Sequence, residues 1–191
     1  MILKPLKDDA GNIQFDLDCY VDADFAGLWP HEDKQDPTCV KSRTRYVLSV
    51  ANCPIVWKST LQSSIALSTS ESEYNALSTA MREVLLLKDL VETIQFSIGI
   101  SEDRPIIIKT KVWEDNDACR TLAGWEPGQS TSRTKHYAIK LHWFRSHIWL
   151  QNKNSRIEVR RVSYALQKAD LMTNGLPKPQ FENLQNFLSG W

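Results

Sequence analysis

Acidic residues form the chemically suggestive pattern in this chain: the pairs Asp22/Asp24, Glu71/Glu73 and Asp115/Asp117, and the single Asp170. Hard divalent cations such as Mg²⁺ take oxygen ligands, and a two-ion site needs several carboxylates converging from separate stretches of chain. Without cations such a cluster repels itself, so convergence would require a function. Taken singly, each acid has an ordinary explanation, because Asp favours the turns after strands and the caps of helices. The histidines are weaker candidates. His136, His142 and His147 lack the i,i+4 spacing of a helical zinc pair. His136, Lys140 and His147 do share a stripe with Trp143, which is either a basic, aromatic surface for phosphates or a wet flank.

The elements that must position these acids follow from periodicity. A strand is expected over Leu17 to Val21, running into an acidic turn and then a polar loop from Leu28 to Ser42, where Pro30 and Pro37 exclude regular structure. RTRYVLSV (43–50) and PIVWKS (54–59) read as a hairpin around Ala51-Asn52-Cys53, and SSIALS (63–68) as a third strand of the meander. Overlapping capping-box patterns at Ser68–Glu71 and Ser70–Glu73 then open a long helix reaching about Gln95. Beyond it come a strand over 105–113, a short helix over 115–123 opened by an Asp or Asn cap, and a loop over 125–132. A helix over 135–150 carries Tyr137, Leu141, Phe144 and Ile148 on one stripe. It is followed by a strand over 156–162, a short helix over 166–173 and an amphipathic segment after Pro179. This order predicts one α/β domain over 1–191, a mixed sheet flanked by helices.

Helical geometry separates the second acidic pair. Glu73 falls in register with Ala76, Leu77, Ala80, Val84, Leu87 and Val91, the stripe that must face the sheet, whereas Glu71 lines up with Asn75, Ser78, Arg82 and Asp89 on a solvated face. A carboxylate on the buried stripe is costly unless paired, so Glu73 is the better ligand and Glu71 the better cap. Asp115, directly after a strand, is better placed at a sheet edge than Asp117. Asp22 and Asp24 share one face by period two, and alternation does not choose between them.

Composition bounds the class. The 191 residues are 42% hydrophobic and 24% charged, which argues against disorder, collagen and coiled coil, and no apolar stretch approaches the roughly 18 to 20 residues of a membrane span. No signal peptide opens the chain. Four cysteines without a CxxC pair read as reduced thiols of an intracellular protein. The net charge is zero but unevenly spread, with nine Asp/Glu against three Lys/Arg in residues 1–36 and eight Lys/Arg against one Glu in 130–161. Such asymmetry suits a cation site beside a polyanion-binding surface, or simply two solvated faces of opposite sign.

The motifs YVDADFAG (20–27), RTRYVLSVANCPIVWKSTLQSSIALSTSESEYNAL (43–77), VWEDNDAC (112–119), RTKHYAIKLHWFR (133–145) and QKADLMTNGL (167–176) resemble, in order, the ribonuclease H domain of copia-type LTR retrotransposon Pol polyproteins. The likeness runs from about Leu3 to Phe187, and the opening ILKP resembles the tail of a preceding reverse transcriptase region, which makes 1–16 a flexible or linker segment. The resemblance implies a ribonuclease H-like fold with a five-stranded mixed sheet, and cleavage of the RNA strand of an RNA/DNA hybrid during reverse transcription. It implies Asp22, Glu73, Asp115 and Asp170 as catalytic, metal-holding acids, agreeing with the choice of Glu73 and Asp115 and selecting Asp22. It further implies two Mg²⁺ ions, replaceable by Mn²⁺, which supply an activated water and stabilise the leaving 3′ oxygen, so that products carry 5′-phosphate and 3′-hydroxyl ends. Arg133, Lys135, His136 and Lys140 are the expected nucleic-acid contacts.

The implied partners are the hybrid and the reverse transcriptase domain of the same polyprotein, with no membrane. The implied location is cytoplasmic, including retrotransposon particles. The sequence departs from the pattern at Arg45, where such relatives usually have Gly, and at Asn174, where Lys is common; neither is an expected ligand, and Arg45 in the hairpin either alters substrate contact or marks a decaying copy. VSYALQKAD (162–170) also lacks the loop His of cellular ribonucleases H. Two alternatives stay open: a catalytically silent nucleic-acid-binding module, and a DNA-cutting integrase or resolvase-type nuclease of the same fold.

Overall fold

The structure, a computed structural model, describes residues 6–7, 11, 13–29, 32–98, 106–126, 129–132, 134, 138–148, 157–172 and 176–189. In chain order the elements are β1 (Leu6–Lys7), β2 (Ile13–Asp24), β3 (Arg43–Val50), β4 (Cys53–Leu61), α1 (Thr69–Ser97), β5 (Ile107–Glu114), α2 (Asp117–Ala123), α3 (Ala138–Ile148), β6 (Ile157–Arg161) and α4 (Lys178–Ser189). Two 3₁₀ turns, Tyr164–Leu166 and Lys168–Met172, separate β6 from α4.

The β-branched and aromatic runs of β3 and β4 close as a hairpin on Ala51 (φ 48°) and Asn52 (φ 64°), two left-handed residues whose twist suits a two-residue turn. The Ala51 N–H donates to the Asp16 carbonyl at 2.9 Å and ties this turn to β2. β2 pairs antiparallel with β3 and parallel with β5, and β5 pairs parallel with β6. The strand order is β4-β3-β2-β5-β6, with β1 added to the start of β2. The expected five-stranded mixed sheet flanked by helices is therefore present, with the two-residue β1 as a sixth strand at its margin.

One face of the sheet is covered by α1. Leu17, Cys19, Val21 and Ala23 from β2, Tyr46 and Leu48 from β3 and Val112 from β5 form one buried cluster with Tyr74, Ala76, Leu77, Ala80, Met81 and Val84. The other face of β2 and β3 receives the turn Lys168–Met172, to which α4 packs. Gln167, fully buried, fastens this turn by donating from Nε2 to the Val21 carbonyl at 2.9 Å.

Three sequence expectations change. Residues 63–68 are not a strand: Ile65 and Leu67 are exposed, and the segment instead delivers Ser68 as the N-cap of α1. Alternation there reflects exposed apolar residues between small polar ones rather than a buried face. β2 begins at Ile13 rather than Leu17, so 13–16 belong to the central strand and not to a linker. In place of the helix expected over 166–173, the described residues form a 3₁₀ turn over Lys168–Met172, preceded by another over Tyr164–Leu166.

Candidate functional site

β2 and β5 are adjacent and parallel, so both end at the same edge of the sheet. Asp22 is two residues from the end of β2, and Asp115 directly follows β5. α1 starts at this edge as well. Ser68 accepts a hydrogen bond from the Glu71 N–H at 3.2 Å, and Glu71 in turn accepts from the Leu67 N–H at 2.9 Å, so the first turn is capped from both sides. That leaves Glu73, two residues on and on the opposite side of the helix, facing the sheet, where its Oε2 accepts from the Ala23 N–H at 2.8 Å.

Asp22, Glu73 and Asp115 each bring an oxygen into a group whose members all lie within 4.8 Å of one another. They arrive from β2, α1 and the exit of β5. Asp22 is 9% exposed, Glu73 5% and Asp170 4%. Asp170 stands on the 3₁₀ turn held by Gln167, outside the 4.8 Å group but within reach of its charges. Burial first, then the charges of Asp22 and Asp115, push its carboxyl up to about 7. Burial and the neighbouring Glu114, Asp22 and Asp115 raise Glu73 to about 11. Asp115 is raised by burial and by Asp22. Asp22 is also raised by burial, with Arg45 working against that rise.

Asp117 and Asp24 have other duties. Asn116 caps α2, accepting from the Cys119 N–H at 2.9 Å, and Asp117 sits exposed in an ion pair with Arg120. Asp24 accepts from the Arg43 N–H at 2.7 Å and from an Arg45 guanidinium nitrogen at 2.6 Å. Glu71 is the cap its position suggested, but its stripe is not solvated throughout. Asn75 and Ser78 are buried, Asn75 donating to Gln62 at 3.2 Å and Ser78 accepting from the Trp143 indole at 2.9 Å.

Glu114 has no role in the sequence analysis, and Arg45 has a different one from that which the fold gives it. Glu114 ends β5 fully buried, with Oε1 accepting from the Asn116 N–H at 3.0 Å, and burial holds its carboxyl well above the usual range. The signal existed: Ile108, Thr110, Val112 and Glu114 are spaced by two and all buried. Arg45, whose presence suggested either an altered substrate contact or a decaying copy, is 2% exposed and spans Asp22 and Asp24. Pairing of β3 with β2 sets Arg45 opposite Asp22, a cross-strand neighbour invisible along the chain.

Of the expected nucleic-acid contacts, Arg133, Lys135 and His136 lie outside the described residues, as does Asn174; Lys140 lies within α3. Arg145, in the same basic stretch, is a structural residue, fully buried and donating to the carbonyls of Gln129 and Leu122 at 2.9 and 2.8 Å.

The donor set suits a hard divalent ion. Three converging carboxylates supply oxygen ligands, and an acid raised as far as Glu73 needs more positive charge nearby to ionise at neutral pH.

No protein-family model matches the chain. Among curated proteins it is 28% identical over 163 residues to the retrovirus-related Pol polyprotein from transposon TNT 1-94 of Nicotiana tabacum, a match covering 85% of the chain and 10% of that protein. It is 29% and 27% identical, each over 167 residues, to those from transposons RE1 and RE2 of Arabidopsis thaliana, covering 87% of the chain and 10% of each. Among solved structures it resembles the N-terminal RNase H domain of a Mycobacterium tuberculosis protein fused to maltose-binding protein. That likeness has a TM-score of 0.49 at 12% identity, covering 90% of this chain and 96% of the other. Over most of its length the chain is thus a homologue of one segment, about a tenth of the whole, of the retrovirus-related Pol polyproteins of transposons.

Proposed function

We propose that the chain is a divalent-metal-dependent ribonuclease H, hydrolysing the RNA strand of RNA/DNA hybrids beside a reverse transcriptase in the same polyprotein, inside the cell. The observation that carries this reading is the convergence of Asp22, Glu73 and Asp115 within 4.8 Å at the end of the two central strands, with Asp170 electrostatically joined to them. These four acids would hold two Mg²⁺ ions, with Mn²⁺ as a substitute. When bound, the ions supply an activated water and charge stabilisation at the phosphate being cut.

The chain's own contribution is position. The Ala23 N–H fixes the Glu73 carboxylate, the Asn116 cap fixes the exit of β5 at Asp115, and Gln167 fixes the turn bearing Asp170. Asp22 is oriented by Arg45. The basic stretch over 130–161 would lie along the phosphates, with Arg133, Lys135, His136 and Lys140 as contacts.

A labelled RNA/DNA hybrid incubated with the chain and Mg²⁺ tests the reading. Cleavage of the RNA strand should fall at least about a hundredfold in Asp115→Asn and Glu73→Gln, the order of loss when a central electrostatic group is removed. Parent-like cleavage by either variant overturns the assignment. The silent-module alternative draws support from Arg45, whose guanidinium already neutralises Asp22. Retardation of the hybrid without cleavage at any Mg²⁺ or Mn²⁺ concentration would favour it, and cutting of duplex DNA in preference to hybrid would favour the integrase-type reading.

A further inference from the structure

Arg45 leaves β3 on the same face of the sheet as Asp22 and Asp24, because it pairs directly across from Asp22. One guanidinium nitrogen donates to Asp22 Oδ2 at 2.9 Å and the other to Asp24 Oδ2 at 2.6 Å. A member of the converging acid group is thus already partnered by a cation belonging to the chain. That cation is permanent, since arginine does not lose its proton in proteins. It is also incompletely satisfied, since its buried Nε has no hydrogen-bond partner among the described residues. Glu73 and Asp115 receive no such ion pair among the described residues.

Resting on the reading of this cluster as a metal site, we infer that Arg45 is a built-in competitor of the divalent ion. In the metal-free chain it neutralises Asp22 and Asp24, which would otherwise repel each other and the neighbouring acids. An incoming ion must take or share an Asp22 oxygen held by the guanidinium, and it does so close to a fixed positive charge. Arg45 therefore stabilises the empty fold and weakens divalent binding. It is a positioning residue that sets the metal concentration at which the site fills.

The test is Mn²⁺ binding to the 191-residue chain, followed by the electron paramagnetic resonance signal of free Mn²⁺, with thermal midpoints recorded in the presence and absence of the ion. Arg45→Gln keeps an N–H for Asp22 but not the charge; Arg45→Met keeps neither; Arg45→Lys keeps the charge. Arg45→Gln should bind Mn²⁺ about tenfold more tightly than the parent, the order expected on removing a unit charge at several ångströms in a partly solvated site. Its midpoint should be lower without Mn²⁺ and should rise further with it. Arg45→Met should follow in the same direction where it folds, and Arg45→Lys should bind like the parent. Glu73→Gln is the control for the site. If Glu73→Gln weakens binding but Arg45→Gln binds as the parent does or worse, the metal site stands and the competitor role is overturned. If neither parent nor Arg45→Gln binds above the Glu73→Gln level, the metal-site reading itself fails and takes this inference with it.

Discussion

Asp22 and Asp24 share one face of β2, yet their surroundings give them different work. Asp24 accepts from the Arg43 N–H and from Arg45, and Gly27 lies so close that a Cβ there would stand 2.6 Å from Asp24 Oδ2. Its oxygens are committed to holding the turn after β2. Asp22 has one oxygen on Arg45 and lies in the acid group. Asp24→Asn should therefore act on the fold, lowering the unfolding free energy by about 1–3 kcal/mol as charge-assisted hydrogen bonds weaken. Urea denaturation reads this loss, and an unchanged midpoint would remove Asp24 from the structural role. Gly27→Ala should behave in the same direction, since the new methyl has to displace the Asp24 carboxylate. Asp22→Asn should instead leave a folded chain that does not cut the hybrid.

At the scale of elements, Glu73 is only as well placed as the start of α1. Its burial follows from a cap at Ser68 and an apolar stripe, both legible in the sequence. Ser68→Ala should cost about 1 kcal/mol of stability by denaturant titration, the usual worth of an N-cap side chain. The 3₁₀ turn that bears Asp170 has no such local signature. It is held by Gln167, which crosses from residue 167 to the Val21 carbonyl. Gln167→Ala leaves that buried carbonyl without its side-chain donor and frees the turn, so hybrid cleavage should drop more than the thermal midpoint alone would explain. Equal cleavage at matched folded fraction would show that Asp170 does not depend on this anchor.

For the molecule as a whole, the acid cluster makes stability depend on pH. Glu73 rises from 4.5 to about 11 and Asp170 from 3.8 to about 7 in the metal-free fold. A carboxyl raised by folding keeps its proton in the native state where the unfolded chain has lost it. Its stabilising contribution is thus complete below the unfolded value and declines as pH climbs, through about 7 for Asp170 and on towards 11 for Glu73. In chelator the thermal midpoint should be higher at pH 5 than at pH 8. Mg²⁺ should raise the pH 8 value more, because binding needs the ionised carboxylates and stabilises the native state by mass action. A midpoint that climbs between pH 5 and 8 in chelator would contradict the cluster's electrostatics. Among the described residues no helix is long and apolar enough to cross a membrane.

Local rules were enough to read the hairpin, the capped entry to α1, the placement of Glu73 on its buried stripe and of Asp115 at the end of a strand, because each depends on neighbours within a few residues. They failed for 63–68, where alternation did not mean burial, and passed over Glu114, although it continues the two-residue spacing of Ile108, Thr110 and Val112. Strand pairing alone decided that Arg45 faces Asp22, and sheet order alone decided that β2 and β5 end side by side. Those relations join residues 23 and about 90 positions apart along the chain, where periodicity carries no information and only the packing of the sheet brings the charges together.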